Sequence, residues 1–385
     1  MDSTSAGDLP NLSARCSGLS IIGKRNLRAA LGSLSFGRVG IIGLPNVGKS
    51  TLFNALTDAD ALAANYPFAT IEPNTGIVPV PDERLEKLKS LYGSQKVLPA
   101  TVTFVDIAGL VAGASKGEGL GNKFLANIRE CDAVVHVVRA FSDSDVVHVD
   151  ENHDPQHDIE TINTELALAD IQTIDKMLPK LQKEAKTKPD AKKEMESLLK
   201  AKDLLEKGDL SNLPNIDAQL LSTKPIIYLF NVDEETLADN TKTQNLRDLV
   251  APAQATFVCA KLEEELKSLI PEEAAELLES YGVKEAGLPQ LIHAAYDTLG
   301  LQSYLTAGPK EIRAWTIKKG STGPQAAGVI HTDFERGFIA AQVIDYDDLI
   351  TAGSEAAAKS AGKIRTEGKD YVMQPGDVVE FRFNV

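Results

Sequence analysis

The chain has 385 residues, enough for two or three domains, and 43% of them are hydrophobic. It carries 40 basic against 55 acidic residues, and this net charge of −15 excludes a generally basic nucleic-acid coat, because neutralising phosphates requires clustered positive side chains. No uncharged apolar run reaches about 18 residues, so the sequence predicts no membrane-spanning helix. Three widely spaced cysteines argue against a disulfide framework or a structural zinc site.

The leader, residues 1–36, contains seven serines and four basic residues but only two acidic ones, Asp2 and Asp8. Such a composition is typical of an organellar transit peptide. A disordered tail or a start codon placed too early explains it equally well, because the two aspartates weaken the case for import. We therefore expect a cytoplasmic protein, and a plastid or mitochondrial matrix is the alternative that the leader leaves open.

The segment after the leader has the pattern of a phosphate-binding loop between a strand and a helix. An apolar strand at residues 39–42 is followed by G-x-x-x-x-G-K-S at residues 43–50. The glycines let backbone N–H groups converge on phosphates, the lysine reaches the β and γ oxygens, and the serine hydroxyl binds Mg²⁺. The helix that follows adds the partial positive charge of its N-terminus. The predicted nucleotide-binding residues here are Asn46, Val47, Gly48, Lys49, Ser50 and Thr51.

Two later segments complete a metal site of the GTPase type. Thr70 lies in a candidate switch loop, from which it reaches the metal or the γ-phosphate. A β-branched strand then ends in Asp106 of a D-x-x-G motif, which places this carboxylate near Mg²⁺. We predict Ser50, Thr70 and Asp106 as the metal-site residues. Leu110 replaces the glutamine of Ras-type enzymes, and because leucine cannot orient the attacking water, another group must do so.

Residues 158–207 show apolar residues at helical spacing on both sides of the pair Pro189-Asp190. This spacing predicts two long amphipathic helices that turn back on each other. Residues 176–207 carry ten basic and six acidic side chains, a net charge of +4. Such a charge run is ordinarily a solvated helical face, and a contact with RNA or the ribosome is the alternative.

A further buried strand ends in N-V-D-E at residues 231–234, where a guanine-specific protein carries N-K-x-D. In that motif the aspartate pairs with N1 and N2 of guanine and the lysine packs over the ring. Val232 replaces the lysine and Glu234 the aspartate, so guanine selection weakens and adenine becomes admissible. The next strand leads into Cys259-Ala260, in the place of the S-A base loop. Four such motifs, each at the end of a strand, predict a P-loop nucleoside triphosphatase (NTPase).

The last part of the chain, residues 304–385, changes to short strands between glycine- and proline-containing turns. The predicted strands are residues 314–317, 338–343, 371–373 and 378–383. Because the net charge here is only −1, any RNA binding must use a small basic patch. We expect this segment to serve as a docking surface.

With these residues the chain resembles the Obg-like ATPase family, also called YchF, among the Obg-related P-loop NTPases. The resemblance covers residues 37–385 and rests on residues 43–57, 65–84, 106–124, 313–348 and 368–385. It implies an α/β fold, divided into the leader 1–36, a P-loop NTPase (OBG-type G) domain over 37–150 and 216–300, an inserted α-helical hairpin over 151–215, and a C-terminal ubiquitin-like β-grasp (TGS) domain over 304–385.

The resemblance also implies an ATPase with relaxed or adenine-preferring base recognition, association with ribosomes and a link to oxidative stress. Carried over residue by residue, it implies that Asn231 and Glu234 contact the base, that Val232 lies against its ring, that Phe141 stacks on adenine and that His148 is catalytic. The residues alone leave two of these open. Phe141 follows an apolar strand and fits a core aromatic equally well, and His148 fits a solvated surface side chain.

The expected function is therefore a Mg²⁺-dependent ATPase, with GTP less favoured, that acts as a translation- or stress-linked switch on the ribosome. The alternatives are a GTP-dependent ribosome-assembly GTPase and a nucleotide-sensing docking protein with negligible hydrolysis, which Leu110 makes reasonable. Residues 176–207 and the TGS domain are the candidate contacts with ribosomal RNA, and no membrane is expected as a partner. K⁺ is a second candidate ion, because in related enzymes the residue matching Asn46 helps to hold it.

Overall fold

The computed structural model describes residues 37–57, 74–107, 120–141, 154–210, 212–216 and 218–384. The strands of this part are β1 (Arg38–Ile42), β2 (Thr75–Pro79), β3 (Lys96–Leu98), β4 (Thr101–Asp106), β5 (Ala133–Ala140), β6 (Ile226–Val232), β7 (Gln254–Val258), β8 (Leu301–Ala307), β9 (Glu311–Lys318), β10 (Phe338–Asp345), β11 (Arg365–Glu367) and β12 (Asp377–Phe383).

The helices of the same part are α1 (Lys49–Thr57), α2 (Glu83–Tyr92), α3 (Leu120–Arg129), α4 (Pro155–Glu184), α5 (Pro189–Glu206), α6 (Glu234–Ala238), α7 (Asn240–Val250), α8 (Ala260–Leu266), α9 (Pro271–Ser280), α10 (Gly287–Thr298), α11 (Gly323–Ile330), α12 (Thr332–Arg336), α13 (Tyr346–Ala352) and α14 (Glu355–Ser360). Among these described helices, none combines the length and the apolar character needed to cross a bilayer.

The first sheet has the strand order β2-β4-β1-β5-β6-β7, and its only antiparallel pair among the described strands is β2–β4. The central strands β1, β5 and β6 are buried along almost their whole length. Parallel strands covered on both faces are expected to be apolar throughout, which explains the continuous hydrophobic runs in the sequence. A parallel sheet also brings the carboxyl ends of its strands to one edge, where ligands bind in folds of this type.

The strand register shows which chain segments meet at that edge. Asp106 at the end of β4 lies beside Ile41 of β1. Ala140 at the end of β5 lies beside Val232 at the end of β6. The segments that follow β1, β4, β5 and β6 therefore leave the sheet next to one another.

Helices α4 and α5 form the predicted hairpin, which is confirmed and lies in the chain between β5 and β6. They share an apolar core that includes Ile174, Leu178, Leu181, Leu198, Ala201 and Leu205. Asp170 on α4 accepts the backbone N–H groups of Leu221 and Ser222, each at 2.8 Å, so the hairpin is fastened to the segment that leads into β6. Burial raises the pKa of this carboxyl in spite of the two hydrogen bonds.

The second sheet has the strand order β11-β10-β12-β8-β9-β3. It is mixed, because the pairs β12–β8 and β3–β9 are parallel and the other pairs are antiparallel. Helix α11 packs against it, and the Tyr304 hydroxyl of β8 donates to the Ala326 carbonyl of α11 at 3.0 Å. A C-terminal sheet domain is therefore present, and its assignment to the TGS type stays a prediction.

The C-terminal sheet differs from the sequence prediction in two places. The strand predicted at residues 371–373 is wrong: Val372 makes only an isolated bridge to Thr322. The reason is that this segment runs beside the start of α11, where the Gly323 N–H donates to the Tyr371 carbonyl at 2.9 Å, and not beside another strand. Strand β8 also begins at Leu301, so it crosses the domain limit that was predicted at residue 304.

The segment from α2 to β3 joins the two sheets, which the sequence did not indicate. Strand β3 pairs with β9 of the second sheet. The Ser94 hydroxyl donates to the Gly308 carbonyl at 2.6 Å, and the Arg84 guanidinium donates to the Pro375 carbonyl. On α10, the ring nitrogen Nε2 of His293 lies 2.9 Å from the Pro81 carbonyl. The C-terminal sheet is thus built partly from a segment that follows β2 of the first sheet.

Candidate nucleotide-binding site

The loop between β1 and α1 is shaped by close packing against the sheet. A Cβ added to Gly43 would lie 2.8 Å from the Val137 carbonyl of β5, so a larger residue does not fit. Asn46 and Gly48 have φ angles of 64° and 91°, in the left-handed region that glycine adopts without strain. The side chain of Val47 is buried between them and fixes the loop to the core. The predicted phosphate-binding residues therefore lie on a backbone held at the carboxyl edge of the sheet.

Helix α1 begins at Lys49, directly after this loop, and the Leu52 N–H donates to the Gly48 carbonyl at 2.9 Å. Ser50 and Thr51 are exposed in the first turn of the helix, whereas Leu52 is buried. The first N–H groups of a helix have no partner within it, so together with the helix dipole they form a binding site for an anion.

Lys49 joins the loop to the end of β4. Its ammonium group contacts the Asp106 carboxylate, and both side chains are largely buried. Asp106 is held in place because its N–H donates to the Asn74 carbonyl at 2.8 Å. Lys49, predicted to bind phosphate, and Asp106, predicted to bind the metal, thus lie in contact at the sheet edge.

Ser50 and Asp106 are chemically suited to Mg²⁺. Among the described residues, no group of three His, Cys, Asp or Glu side chains could hold a metal ion. Mg²⁺ does not require such a group, because it is usually bound through one or two carboxylates together with phosphates and water. An exposed serine hydroxyl in the first turn of α1, with a carboxylate beside the neighbouring lysine, fits that pattern.

Asn231 connects the predicted base site to the phosphate loop. Its side chain is buried, and its Nδ2 group donates to the Val47 carbonyl at 3.1 Å. A Cβ added to Gly48 would lie 2.5 Å from that same nitrogen, so the glycine leaves the space that the amide occupies. The end of β6 and the loop after β1 therefore cannot move independently without breaking this hydrogen bond.

Glu234 is the first residue of α6, and its Oε2 atom lies 2.9 Å from the Lys261 ammonium. The Asp233 carboxylate caps the same helix by accepting the Thr236 N–H at 2.8 Å. Val232 differs from the prediction: its side chain is 3% exposed and packs in a core cluster with Phe230 and other apolar residues. This leaves almost no Val232 surface for a base to contact.

Phe141 follows directly after β5 and is only partly buried. The guanidinium carbon of Arg139 lies 4.4 Å from the centre of its ring, and Arg139 itself is buried. A cation over one ring face is a favourable contact that holds the ring in place. Arg139 was not among the predicted site residues, although a basic residue inside an otherwise apolar strand was the available signal.

Three predicted site residues lie outside the described residues: Thr70, Leu110 and His148. The metal contact of Thr70, the replacement of the water-orienting glutamine by Leu110 and the catalytic role of His148 stay predictions. Lys261 was missed by the sequence reasoning. It directly follows Cys259-Ala260, and its position in the base-loop motif was the available signal.

Two other titratable groups are part of the core. Burial lowers the pKa of the His136 imidazole to about 3, and neither ring nitrogen has a hydrogen-bond partner among the described residues. Burial raises the pKa of the Cys131 thiol to about 11, so a thiolate is disfavoured at neutral pH. Both side chains have structural roles.

Two family models match this chain. One, described as a 50S ribosome-binding GTPase, matches residues 38–183. The other, named YchF-GTPase_C and described as a protein of unknown function, matches residues 301–384. The two matches cover the phosphate loop and the C-terminal sheet.

Curated relatives match at about half of all aligned positions. The ribosome-binding ATPase YchF of Haemophilus ducreyi is 53% identical over 360 residues, which are 90% of this chain and 99% of the relative. The protein of the same name from Bacillus subtilis is 52% identical over 361 residues, with the same coverage.

Among solved structures, the YchF GTPase of Schizosaccharomyces pombe matches with a TM-score of 0.78 and 38% identity, over 90% of this chain and 98% of that one. A GTP-binding protein from Pyrococcus horikoshii OT3 matches with a TM-score of 0.56 and 22% identity, over 90% and 100%. The second likeness is one of fold alone.

Proposed function

The chain belongs to the YchF family of P-loop nucleoside triphosphatases, and we propose that it is a ribosome-associated ATPase acting as a translation- or stress-linked switch. This proposal rests on one observation: side-chain contacts connect the ends of three strands, β1, β4 and β6, at one edge of the first sheet. The Lys49–Asp106 contact joins β1 to β4, and the hydrogen bond from Asn231 to the Val47 carbonyl joins β6 to both. Relatives about half identical to this chain are named ribosome-binding ATPases.

In the proposed phosphate site the backbone N–H groups of residues 46–51 bind the phosphates and Lys49 pairs with their β and γ oxygens. On phosphate binding, the ammonium of Lys49 would exchange the Asp106 carboxylate for phosphate oxygens, and the carboxylate would then be available as a metal-holding group. Ser50, Asp106 and Thr70 would hold Mg²⁺, which when bound neutralises charge on the transferred phosphate. K⁺ is proposed beside Asn46.

In the proposed base site Asn231 fixes the loop and Glu234 accepts hydrogen bonds from the base. Phe141 offers the ring face not covered by Arg139 for stacking on adenine. Val232 supports this site from the core, where it packs against Phe230.

Hydrolysis needs a group that orients water, and we assign that role to His148. Leu110 replaces the glutamine that performs this task in Ras-type enzymes, and an imidazole can both accept a proton from water and hold it in line. Turnover is expected to be slow, because a single positioned base contributes only part of the acceleration reached by complete sites.

The proposed partner is the ribosome, contacted through the hairpin of α4 and α5 and through the C-terminal domain. Residues 176–207 carry the +4 charge that ribosomal RNA would attract. The domain limits stated in the sequence analysis and the TGS type of the C-terminal domain are part of this proposal. So is a cytoplasmic location, which import of a reporter fused to residues 1–36 would contradict.

The experiment that tests the proposal measures ATP and GTP affinities and turnover of the purified chain, with and without ribosomes, in K⁺ and in Na⁺. We expect tighter binding of ATP, turnover that rises with ribosomes, and higher turnover in K⁺. Lys49→Ala is the control that should abolish phosphate binding. Turnover at the level of this control would instead indicate a docking protein with negligible hydrolysis.

A GTP-dependent ribosome-assembly GTPase is the second candidate, because the matching Schizosaccharomyces pombe structure is titled a YchF GTPase and the N-terminal family model is described as a GTPase. The same affinity measurement separates it. A tighter affinity for GTP than for ATP would establish this candidate and overturn the ATP preference.

A further inference from the structure

The ion pair between Lys261 and Glu234 stands at the proposed base site. Glu234 begins α6 after β6, and Lys261 is the second residue of α8 after β7. The two strands are neighbours, with Asn231 beside Val258, so the pair bridges two adjacent strand ends. The Lys261 ammonium lies 2.9 Å from the Oε2 atom of Glu234, and the side chains are 75% and 32% exposed. A ligand arriving at the sheet edge can reach both.

Guanine and adenine present different hydrogen-bonding groups to a carboxylate. Guanine presents two adjacent donors, N1–H and the N2 amino group, which a carboxylate reads by using both of its oxygens. Adenine presents one exocyclic amino group, at N6, beside an acceptor nitrogen, so a single oxygen satisfies it. The number of free oxygens therefore decides which base a carboxylate favours.

We infer that Lys261 is a specificity-determining residue: by holding Oε2 of Glu234, it leaves Oε1 for the amino group of adenine and makes guanine compete with the ammonium for its second acceptor. This inference rests on the proposed ATP preference and explains how a glutamate in the place of the aspartate produces it. Glu234 provides the contact, and Lys261 sets how many oxygens are available. The same ion pair raises the pKa of Lys261, so the ammonium stays charged at neutral pH.

The expected size of the effect follows from the exposure of the pair. An exposed ion pair contributes little, so guanine can break it at a modest cost, which corresponds to about a fivefold difference in affinity. Lys261 thus accounts for part of the preference.

A neighbouring ion pair supplies a matched control. Lys242 lies 2.6 Å from Oε1 of Glu235, the residue next to Glu234, and that lysine is also exposed. Lys242→Met removes one positive charge from the ion pair of the adjacent glutamate, Glu235, and leaves Glu234 and Lys261 unchanged. A general electrostatic effect on nucleotide affinity would appear in both variants, whereas an effect on base choice would appear only in Lys261→Met.

The experiment measures dissociation constants for ATP and GTP by calorimetry for the wild type, Lys261→Met, Lys242→Met, Glu234→Gln and the Glu234→Gln, Lys261→Met double variant. Lys261→Met is expected to tighten GTP binding and so to reduce the ratio of ATP affinity to GTP affinity about fivefold. Lys242→Met should leave this affinity ratio as it is in the wild type. Glutamine cannot form the ion pair and offers a single acceptor oxygen, so the ratio should not depend on Lys261 in that background.

The outcomes separate this inference from the function it rests on. A wild type that does not prefer ATP overturns the proposed ATP preference itself. If the wild type prefers ATP but Lys261→Met keeps the ratio, or weakens both nucleotides equally, the role of Lys261 is overturned and the ATPase proposal stands. A shift in the ratio that persists in the Glu234→Gln background also overturns it, because Lys261 would then act without the carboxylate.

Discussion

Asn231 shows how one side chain can serve both halves of a nucleotide site. Its amide lies at the end of β6, yet its hydrogen bond goes to the Val47 carbonyl in the loop after β1. Because Gly48 leaves the space for that amide, the loop after β1 and the end of β6 pack closely together. A motif that the sequence suggests for reading a base therefore also shapes the phosphate loop.

The Asn231→Ala variant should lose both stability and affinity. The buried Val47 carbonyl would be left without its donor, which costs about 1–3 kcal/mol of the free energy of unfolding. The loop would also relax, so we expect ATP and GTP to weaken together, each about tenfold. Thermal unfolding and calorimetric titration measure the two effects.

Asn240→Ala is the control for this change, because Asn240 is an exposed asparagine at the start of α7. It should leave both measurements near the wild type. An Asn231→Ala protein with normal nucleotide affinity would show that the hydrogen bond stabilises the fold without shaping the site.

The residues of the phosphate and metal motifs were predictable from the sequence, whereas side-chain contacts that no motif specifies were not. The phosphate loop could be inferred because its motif, strand and helix are contiguous. The Lys261–Glu234 ion pair joins residues that follow two different strands, and their spacing in the sequence does not predict the contact. The burial of Val232 was missed because a β-branched residue at a strand end fits a base contact and a core position equally well.

Strand β5 is the element that places the most unusual side chains. It lies in the middle of the first sheet and is buried along its length, yet it carries both His136 and Arg139. His136 lies beside Ile42 at the start of the phosphate loop, and Tyr228 of β6 packs against it at 5.4 Å between ring centres. Arg139 emerges near the edge and supports Phe141. A strand with the sequence of an ordinary core strand thus carries two buried side chains that are polar.

The low pKa of His136 predicts a loss of stability in mild acid. The folded protein keeps this imidazole neutral down to a pKa of about 3, whereas the unfolded chain binds a proton at an ordinary pKa near 6.5. The contribution is therefore fully present above about pH 6.5 and is lost as the pH falls towards 3. Between pH 6.5 and 5 the free energy of unfolding should fall by about 2 kcal/mol.

Denaturant unfolding at a series of pH values measures this slope for the wild type and for His136→Gln, which cannot titrate. The variant should have a flatter profile over that interval. His157→Gln is the control, because His157 is exposed on α4 and should leave the slope unchanged. Equal slopes in the wild type and in His136→Gln would mean that protonation of this histidine does not drive acid unfolding.

At the scale of the whole molecule, the two sheets are connected through more than the chain between α10 and β8. Helix α2 packs on β8 and β9, and strand β3 completes the second sheet although it precedes β4 of the first. Ser94 and Arg84 add hydrogen bonds from the same segment to the Gly308 and Pro375 carbonyls. This arrangement was not predictable, because β3 has only three residues and its partner lies more than two hundred residues away.

Because the C-terminal sheet covers α2 and β3, its removal should destabilise the nucleotide domain. A chain that ends at Gly300 would expose the buried side chains of Leu88 and Leu98 and leave β3 without a partner strand. Burying one leucine contributes about 1.5–3 kcal/mol, and an unpaired strand edge favours aggregation. We therefore expect a lower melting temperature and aggregation in calorimetry and light scattering, and weaker ATP binding at temperatures where the full chain is stable.

The control keeps the full chain and changes only the exposed surface of the C-terminal domain. Ile339 on β10 is 58% exposed, so Ile339→Ser alters that surface without touching α2 or β3 and should melt like the wild type. A chain ending at Gly300 that melts and binds ATP like the full protein would mean that the second sheet is an independent module. If the truncated chain is destabilised as expected, a perturbation of the second sheet can reach the first through α2 and β3, because this segment packs with β8 and β9.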